Sequence, residues 1–338
     1  MSDCVLMKFM GRGQTERTRK GMPATLGLLL LSALWAVAWL RTDLFPHSGA
    51  DMLSTARGQA ALFFIFAAVA ACMSLARRVE FPRGRYAWAC AGIGVGLFVV
   101  PAGVAACTQD WVSRLDQVAF FSLTPVFAVV LEPYLQDGAP RQGKNALAGA
   151  LAAIAGILCL FPLDLPGSFR AGVAWCFLIA TVVGIAAINC FAVRLARDLS
   201  GRSTLAMAAE AGAASAVFFA AAAALTPHSG WRWSEISPQF VWAMLIDLPA
   251  LLLLFWLMRR LSASRMAARF LIAPLFATLG GIALEPMLPP VRALLGIALL
   301  AAGAGWLVFA PEETNDGEEG HSLTVIPADL PRQPPTDS

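Results

Sequence analysis

The chain has 338 residues, 58% of them hydrophobic and only 14% charged, with a net charge of +3. A soluble domain carries nearer a quarter charged residues, so a water-soluble globular protein is excluded. With so small a net charge, the placement of Lys and Arg says more than their sum, and no nucleic-acid partner is expected.

Residues 1–21 are polar and basic, with Lys8, Arg12, Arg17, Arg19 and Lys20. Apolar runs of about 20 residues, the length that crosses a bilayer core, then follow one another. They predict helices over Met22–Leu40, Gln59–Ala76, Tyr86–Cys107, Gln117–Leu135, Asn145–Pro162, Gly172–Val193, Thr204–Leu225, Phe240–Met258, Met266–Met287 and Val291–Ala310. The first run is too long for a secretory signal core and further spans follow, so it reads as a retained helix. Residues 311–338 are acidic and Pro-rich and predict a disordered tail. The seven Cys lie singly, most inside apolar runs, and the three His are isolated. Neither set has metal-ligand spacing, so no metal and no cofactor is expected.

Ten spans put both ends of the chain on one side. That side carries 19 of the 25 Lys and Arg and the other side 6, so both termini are expected in the cytoplasm. Trp111, Trp231 and Trp233 fall near the opposite boundary, where amphipathic rings are favoured.

One stretch is present twice. Phe120–Phe161 and Arg269–Phe309 each hold a Pro-apolar-Phe step, Pro125-Val126-Phe127 and Pro274-Leu275-Phe276. Each then enters a small-residue helix with glycines seven apart, Gly149/Gly156 and Gly296/Gly303. Pro101 lies 24 residues before Pro125, and Pro249 lies 25 before Pro274. The fold class expected is therefore all-α: a polytopic membrane protein of ten transmembrane helices in two inverted five-helix repeats, 22–165 and 166–310. Proline frees a helix carbonyl, which in lipid needs a partner or a wet cavity. Interruptions paired across two halves point to a midplane binding site. The alternative is that these prolines only curve helices for packing.

LLLLSALWAVAWLRTDLFP resembles the opening helix of the EamA family of drug/metabolite transporters. SLTPVFAVV, and LLFWLMRRLSASRMAARFLIAPLFATLGGIALEP followed by GIALLAAGAGW, resemble that family's third-to-fifth helix signature in its two copies. The likeness covers about residues 22–310. It implies two inverted five-helix repeats and carrier-type movement of small metabolites, often outward. The chain departs from the pattern where Ala36, not Gly, follows Trp35. The acid closing the fourth helix matches at Glu285 in the second copy. In the first copy Asp137 and Glu132 compete for it. These acids are structural landmarks, not substrate ligands.

Ionisable groups inside spans are costly and mark functional hypotheses. Glu210, Asp247 and Arg269 qualify, Arg269 at a depth similar to that of Glu210, and Asn189 sits toward the inner end of the sixth span. In the sharper reading Glu210 and Asp247 line a polar cavity and one takes up a proton during transport. Arg269 then holds an anionic group of the substrate or is the counter-ion of Glu210. In the plainer reading Glu210 and Arg269 form a structural ion pair and Asp247 bonds backbone near the Pro249 kink. Thr124 offers a hydroxyl either to substrate or back to its own helix. The substrate path expected is Trp35, Pro101, Thr124, Pro125, Asn189, Glu210, Asp247, Pro249, Arg269 and Pro274.

The function expected is a secondary carrier, an exporter of small metabolites, amino-acid-like compounds or drugs, working by alternating access with proton coupling as one option. Its setting is the inner or plasma membrane, as a monomer or homodimer, with lipid and a small molecule as partners. No phosphate-binding Gly-x-x-x-x-Gly-Lys-Ser/Thr loop is present, against ATP hydrolysis. The spans hold no His and no Gly-x-Ser-x-Gly, against an enzyme. A flippase of lipid-linked small head groups is the nearest rival, and an intramembrane enzyme a more distant one.

Overall fold

The computed structural model describes residues 23–38, 40, 56–136, 144–163, 165–199, 204–225, 238–284 and 289–309. The predicted N-terminal segment, the acidic tail, Asp137, Glu285 and the three His lie outside the described residues.

Every predicted apolar run holds a helix. In chain order these are α1 (Pro23–Ala38), α2 (Ala56–Ala76), α3 (Arg85–Thr108), α4 (Arg114–Leu135) and α5 (Lys144–Leu160). Then come α6 (Phe169–Asp198), α7 (Thr204–Leu225), α8 (Pro238–Met258), α9 (Ala263–Leu284) and α10 (Val291–Phe309). No strand occurs among the described residues. Seven of these helices are long and apolar enough to cross a membrane, which marks a membrane protein; Pro23–Ala38, Asn145–Leu160 and Met244–Met258 are apolar but shorter.

Burial is distributed as lipid solvation requires. Large apolar side chains face outward, as with Tyr134 (82% exposed) and Phe169 (87%). The interior is rich in small residues, among them Ala186, Ala192, Ala208 and Ala211. Lipid tails are as apolar as a core, so close backbone approach, not exclusion of water, joins such helices.

Among the described residues the two most extensive helix contacts join α5 to α10 and α2 to α7. Glycine permits the first. Gly149 faces the Gly303 carbonyl, and Gly156 faces Gly296. A Cβ on Gly156 would stand 2.5 Å from the Leu300 nitrogen, and one on Gly296 2.9 Å from the Gly156 carbonyl. In the second contact a Cβ on Gly212 would stand 2.7 Å from Phe66.

The prolines interrupt helices in different ways. In α3 a wide π turn, Val95–Val99, directly precedes Pro101. Such a turn absorbs a residue that the regular ladder cannot pair. There Gly94 lies against the Ala211 backbone and Gly96 against Ile188. Helix α4 breaks at Ser122–Leu123, and α9 breaks at Ala268. The start of α4 is capped by Ser113, whose hydroxyl oxygen accepts from the Asp116 N–H at 3.1 Å. The start of α9 is capped from another helix. The Glu132 carboxylate, 2% exposed, accepts from the N–H groups of Ala263 (2.8 Å) and Ser264 (3.1 Å).

Candidate functional site

The breaks in α4 and α9 meet, and the accounting of freed carbonyls explains how. Pro125 leaves the Phe121 carbonyl without its helical donor. The Thr124 hydroxyl donates to it at 2.6 Å. Pro274 does the same to the Phe270 carbonyl, and the Ser122 hydroxyl of α4 reaches that oxygen at 3.2 Å, shared with Val118 O at 2.8 Å. The first orphan is thus satisfied within its own helix, and the second receives the longer arm of a donor shared with Val118 O. Of the two readings of Thr124, bonding back to its own helix is the one observed.

Beside this crossing lies Arg269, among the described residues the largest fully buried side chain, at 2% exposure. Its Nη1 donates to Met266 O at 2.8 Å and its Nη2 to Asn189 Oδ1 at 2.9 Å. Asn189 is held in turn, its Nδ2 donating to Ile185 O at 2.9 Å. The guanidinium carbon lies 4.6 Å from the Phe270 ring centre and 5.4 Å from that of Trp35. Ring faces of this kind stabilise a cation. The Nε of Arg269 is buried without a partner.

The expected Glu210–Arg269 ion pair does not form, and among the described residues no carboxylate pairs with Arg269. The reason is helix placement. Glu210 sits on α7 where that helix packs on α3, and the Cys90 thiol is its neighbour there. The Glu210 oxygen Oε2 is buried and unpartnered. Arg269 sits on α9 and reaches α6.

Three expected site residues therefore come together: Trp35, Asn189 and Arg269. Thr124, Pro125 and Pro274 support them from the two helix breaks, Thr124 and both prolines being buried. Pro101 is half-buried in α3. Asp247 is half-buried on α8 and has an interaction of its own. Pro249 is exposed and lies on the wall of a groove between α1, α2, α7 and α8, with a volume of about 940 Å³. Other cavities lined by described residues include one of about 320 Å³ between α3 and α6 and one of about 800 Å³ between α2 and α7. Neither Glu210 nor Asp247 lines any of these three.

Sequence reasoning misses the role of Glu132, which by spacing only competes with Asp137 for a landmark position. It also misses the cluster beside it. Gln136 Nε2 donates to Cys190 O at 3.0 Å, Arg194 to Leu135 O at 3.0 Å, and Arg197 to Gln136 Oε1 at 3.3 Å and Leu261 O at 3.2 Å. The Leu-Glu-Pro step was the available signal. A carboxylate inside a span with no nearby cation in sequence needs N–H donors.

The class defined by fold and site is an all-helical membrane protein with a buried guanidinium at the crossing of two broken helices. No family model matches the chain, and no curated protein matches it. Among solved structures 28 chains match its fold. One, described only as a crystal structure of a protein, is similar at a TM-score of 0.66 and 19% identity, over 86% of this chain and 99% of its own. At that identity the likeness establishes a shared fold and nothing about activity.

Proposed function

We propose that the protein is a secondary carrier, an exporter of small anionic or zwitterionic metabolites, of the EamA type that its sequence resembles. The observation that carries this reading is Arg269: a fully buried guanidinium, braced by Asn189 and Met266 and flanked by Trp35 and Phe270, without a carboxylate partner among the described residues. A buried cation costs several kcal/mol unless something offsets it (roughly, from), and a substrate carboxylate would do so. Ionisable groups in spans concentrate along substrate paths for this reason.

The glycine pairing supports the inverted repeat behind this proposal. Gly149 and Gly296 are equivalent in the repeat, as are Gly156 and Gly303. Exchanging equivalents turns the Gly149–Gly303 contact into Gly296–Gly156, the other observed contact. A local two-fold axis between α5 and α10 has this property, and inverted repeats of transporters are related by such axes in the membrane plane. In this proposal all ten helices span the inner or plasma membrane, with both termini cytoplasmic. Proton coupling, where present, then falls to Glu210 or Asp247 and lies apart from the Arg269 site.

The test is flux in proteoliposomes with a panel of amino acids, other carboxylates, sugars and cationic drugs, with and without a pH gradient. Saturable movement of carboxylate-bearing compounds, lost in Arg269→Gln, is expected. Absence of saturable flux across the whole panel would sink the carrier reading.

A further inference from the structure

We propose that the groove between α1 and α8 is a binding site for an anionic glycerophospholipid of the surrounding leaflet. It stands apart from Arg269 and does not depend on the transport reading.

The walls are apolar: Leu26 and Leu30 of α1 face Leu252 and Leu253 of α8. The groove's volume of about 940 Å³ lies within the range of about 300–1,000 Å³ usual for ligand pockets. One end of it is basic. Arg77 follows α2, as Arg259 and Arg260 follow α8; all three are exposed. Among the described lining residues none is acidic. Arg260 lies over the Trp256 ring at 3.9 Å, an aromatic–cation pair suited to the headgroup depth.

A second observation falls at the same end. Thr204, the first residue of α7, lines the groove, is 9% exposed, and its Oγ1 is buried without a hydrogen-bond partner. An unpaired buried hydroxyl is unfavourable, and a phosphate oxygen is the acceptor it lacks. Helix starts favour the same charge. A ligand with its phosphate at the end lined by Thr204, Arg77 and Arg259 and a chain along the leucines accounts for both the basic end and the apolar wall. A phosphodiester lipid has both parts, whereas a free phosphate leaves the apolar wall uncovered.

The full chain is purified and presented with equal phosphatidylglycerol and phosphatidylcholine in mixed micelles, and retained lipid is read by native mass spectrometry. The expected result is one tightly held phosphatidylglycerol. Because each basic residue near an anionic surface contributes about a fivefold factor, Arg77→Gln with Arg259→Gln should reduce the preference roughly thirtyfold. Thr204→Val removes only the hydroxyl, so it reads the site even if the double variant fails to fold; a clear fall in preference is expected. Arg83→Gln with Arg85→Gln, which changes net charge equally outside the groove, should leave the preference unchanged. Equal retention of both lipids by the unaltered protein overturns the site. So do an undiminished preference in Thr204→Val, an equal loss in the Arg83/Arg85 control, or displacement of the lipid by excess inorganic phosphate.

Discussion

The hydroxyl of Ser122 stands 3.2 Å from the carbonyl of Phe270, the carbonyl that Pro274 deprives of its helical donor. A polar debt in one half of the chain is settled by a side chain of the other. Ser122→Ala should leave that oxygen unpaired and destabilise the protein by about 1–3 kcal/mol. Pro274→Ala restores an N–H four residues on, so Ser122→Ala should cost much less in that background. Thermal unfolding in detergent of the four proteins of this cycle measures the coupling. Additive effects would show that the contact does not hold the two breaks together.

Arg269 gives a prediction in which stability and transport move apart. Asn189→Asp sets a carboxylate at 2.9 Å from Nη2. The fold should keep or gain thermal stability, because the cation acquires a partner. Carboxylate flux should fall at least about tenfold, because that partner occupies the charge the substrate needs, one pairing of about 1.4 kcal/mol or more. Arg269→Lys should fail as well, since an ammonium cannot span Met266 O and Asn189 Oδ1 as a planar fork does. Wild-type flux in Asn189→Asp would remove Arg269 from the substrate path.

Glu132 joins α4 to the start of α9 through two N–H donors. Glu132→Ala strands both and should destabilise by about 1.5–3 kcal/mol, the scale of hydrogen bonds to a charged group. Glu132→Gln keeps acceptor capacity on only one oxygen and should fall between. Melting temperatures of the three proteins establish the order, and an unchanged melting temperature in Glu132→Ala would show that water replaces the cap.

The contact of α5 with α10 leaves no room for a side chain at Gly156 or Gly303. Gly156→Val should cost about 1–3 kcal/mol through overpacking. Gly103→Ala and Gly305→Ala, where a Cβ meets nothing within 4 Å, should be neutral or slightly stabilising because Ala is the better helix former. Comparable losses at all three sites would point to a general helix effect and away from interface packing.

Glu210 carries a buried oxygen without a partner and a thiol neighbour in Cys90. Glu210→Gln should be tolerated by the fold, since among the described residues it breaks no ion pair. If coupling to protons runs through this group, the variant retains exchange across the membrane but no longer concentrates substrate under a pH gradient. Gradient-driven uptake equal to wild type would assign the coupling elsewhere, with Asp247→Asn the next variant to measure.

Helix positions, the apolar exterior and the duplicated glycine spacing were legible in the residues themselves. Each depends on local periodicity, run length or repetition, and these survive without knowing any partner. Asn189 and Arg269 were legible as candidates because polar groups inside apolar runs stand out against their surroundings, and Trp35 because it falls in the stretch that resembles the EamA opening helix. Their convergence was not legible: Arg269 bonds Asn189 from 80 residues away, and linear distance is silent about which helix faces meet. The same limit produced the mistaken pairing of Arg269 with Glu210, two opposite charges at similar depth on helices that face different neighbours. Tertiary structure alone decided that Glu132 caps α9, that Ser122 reaches the Phe270 carbonyl, and that Thr204 lines a basic-ended groove. Hydrogen bonds are directional and short, so only the packing of one helix against another determines which donor finds which acceptor.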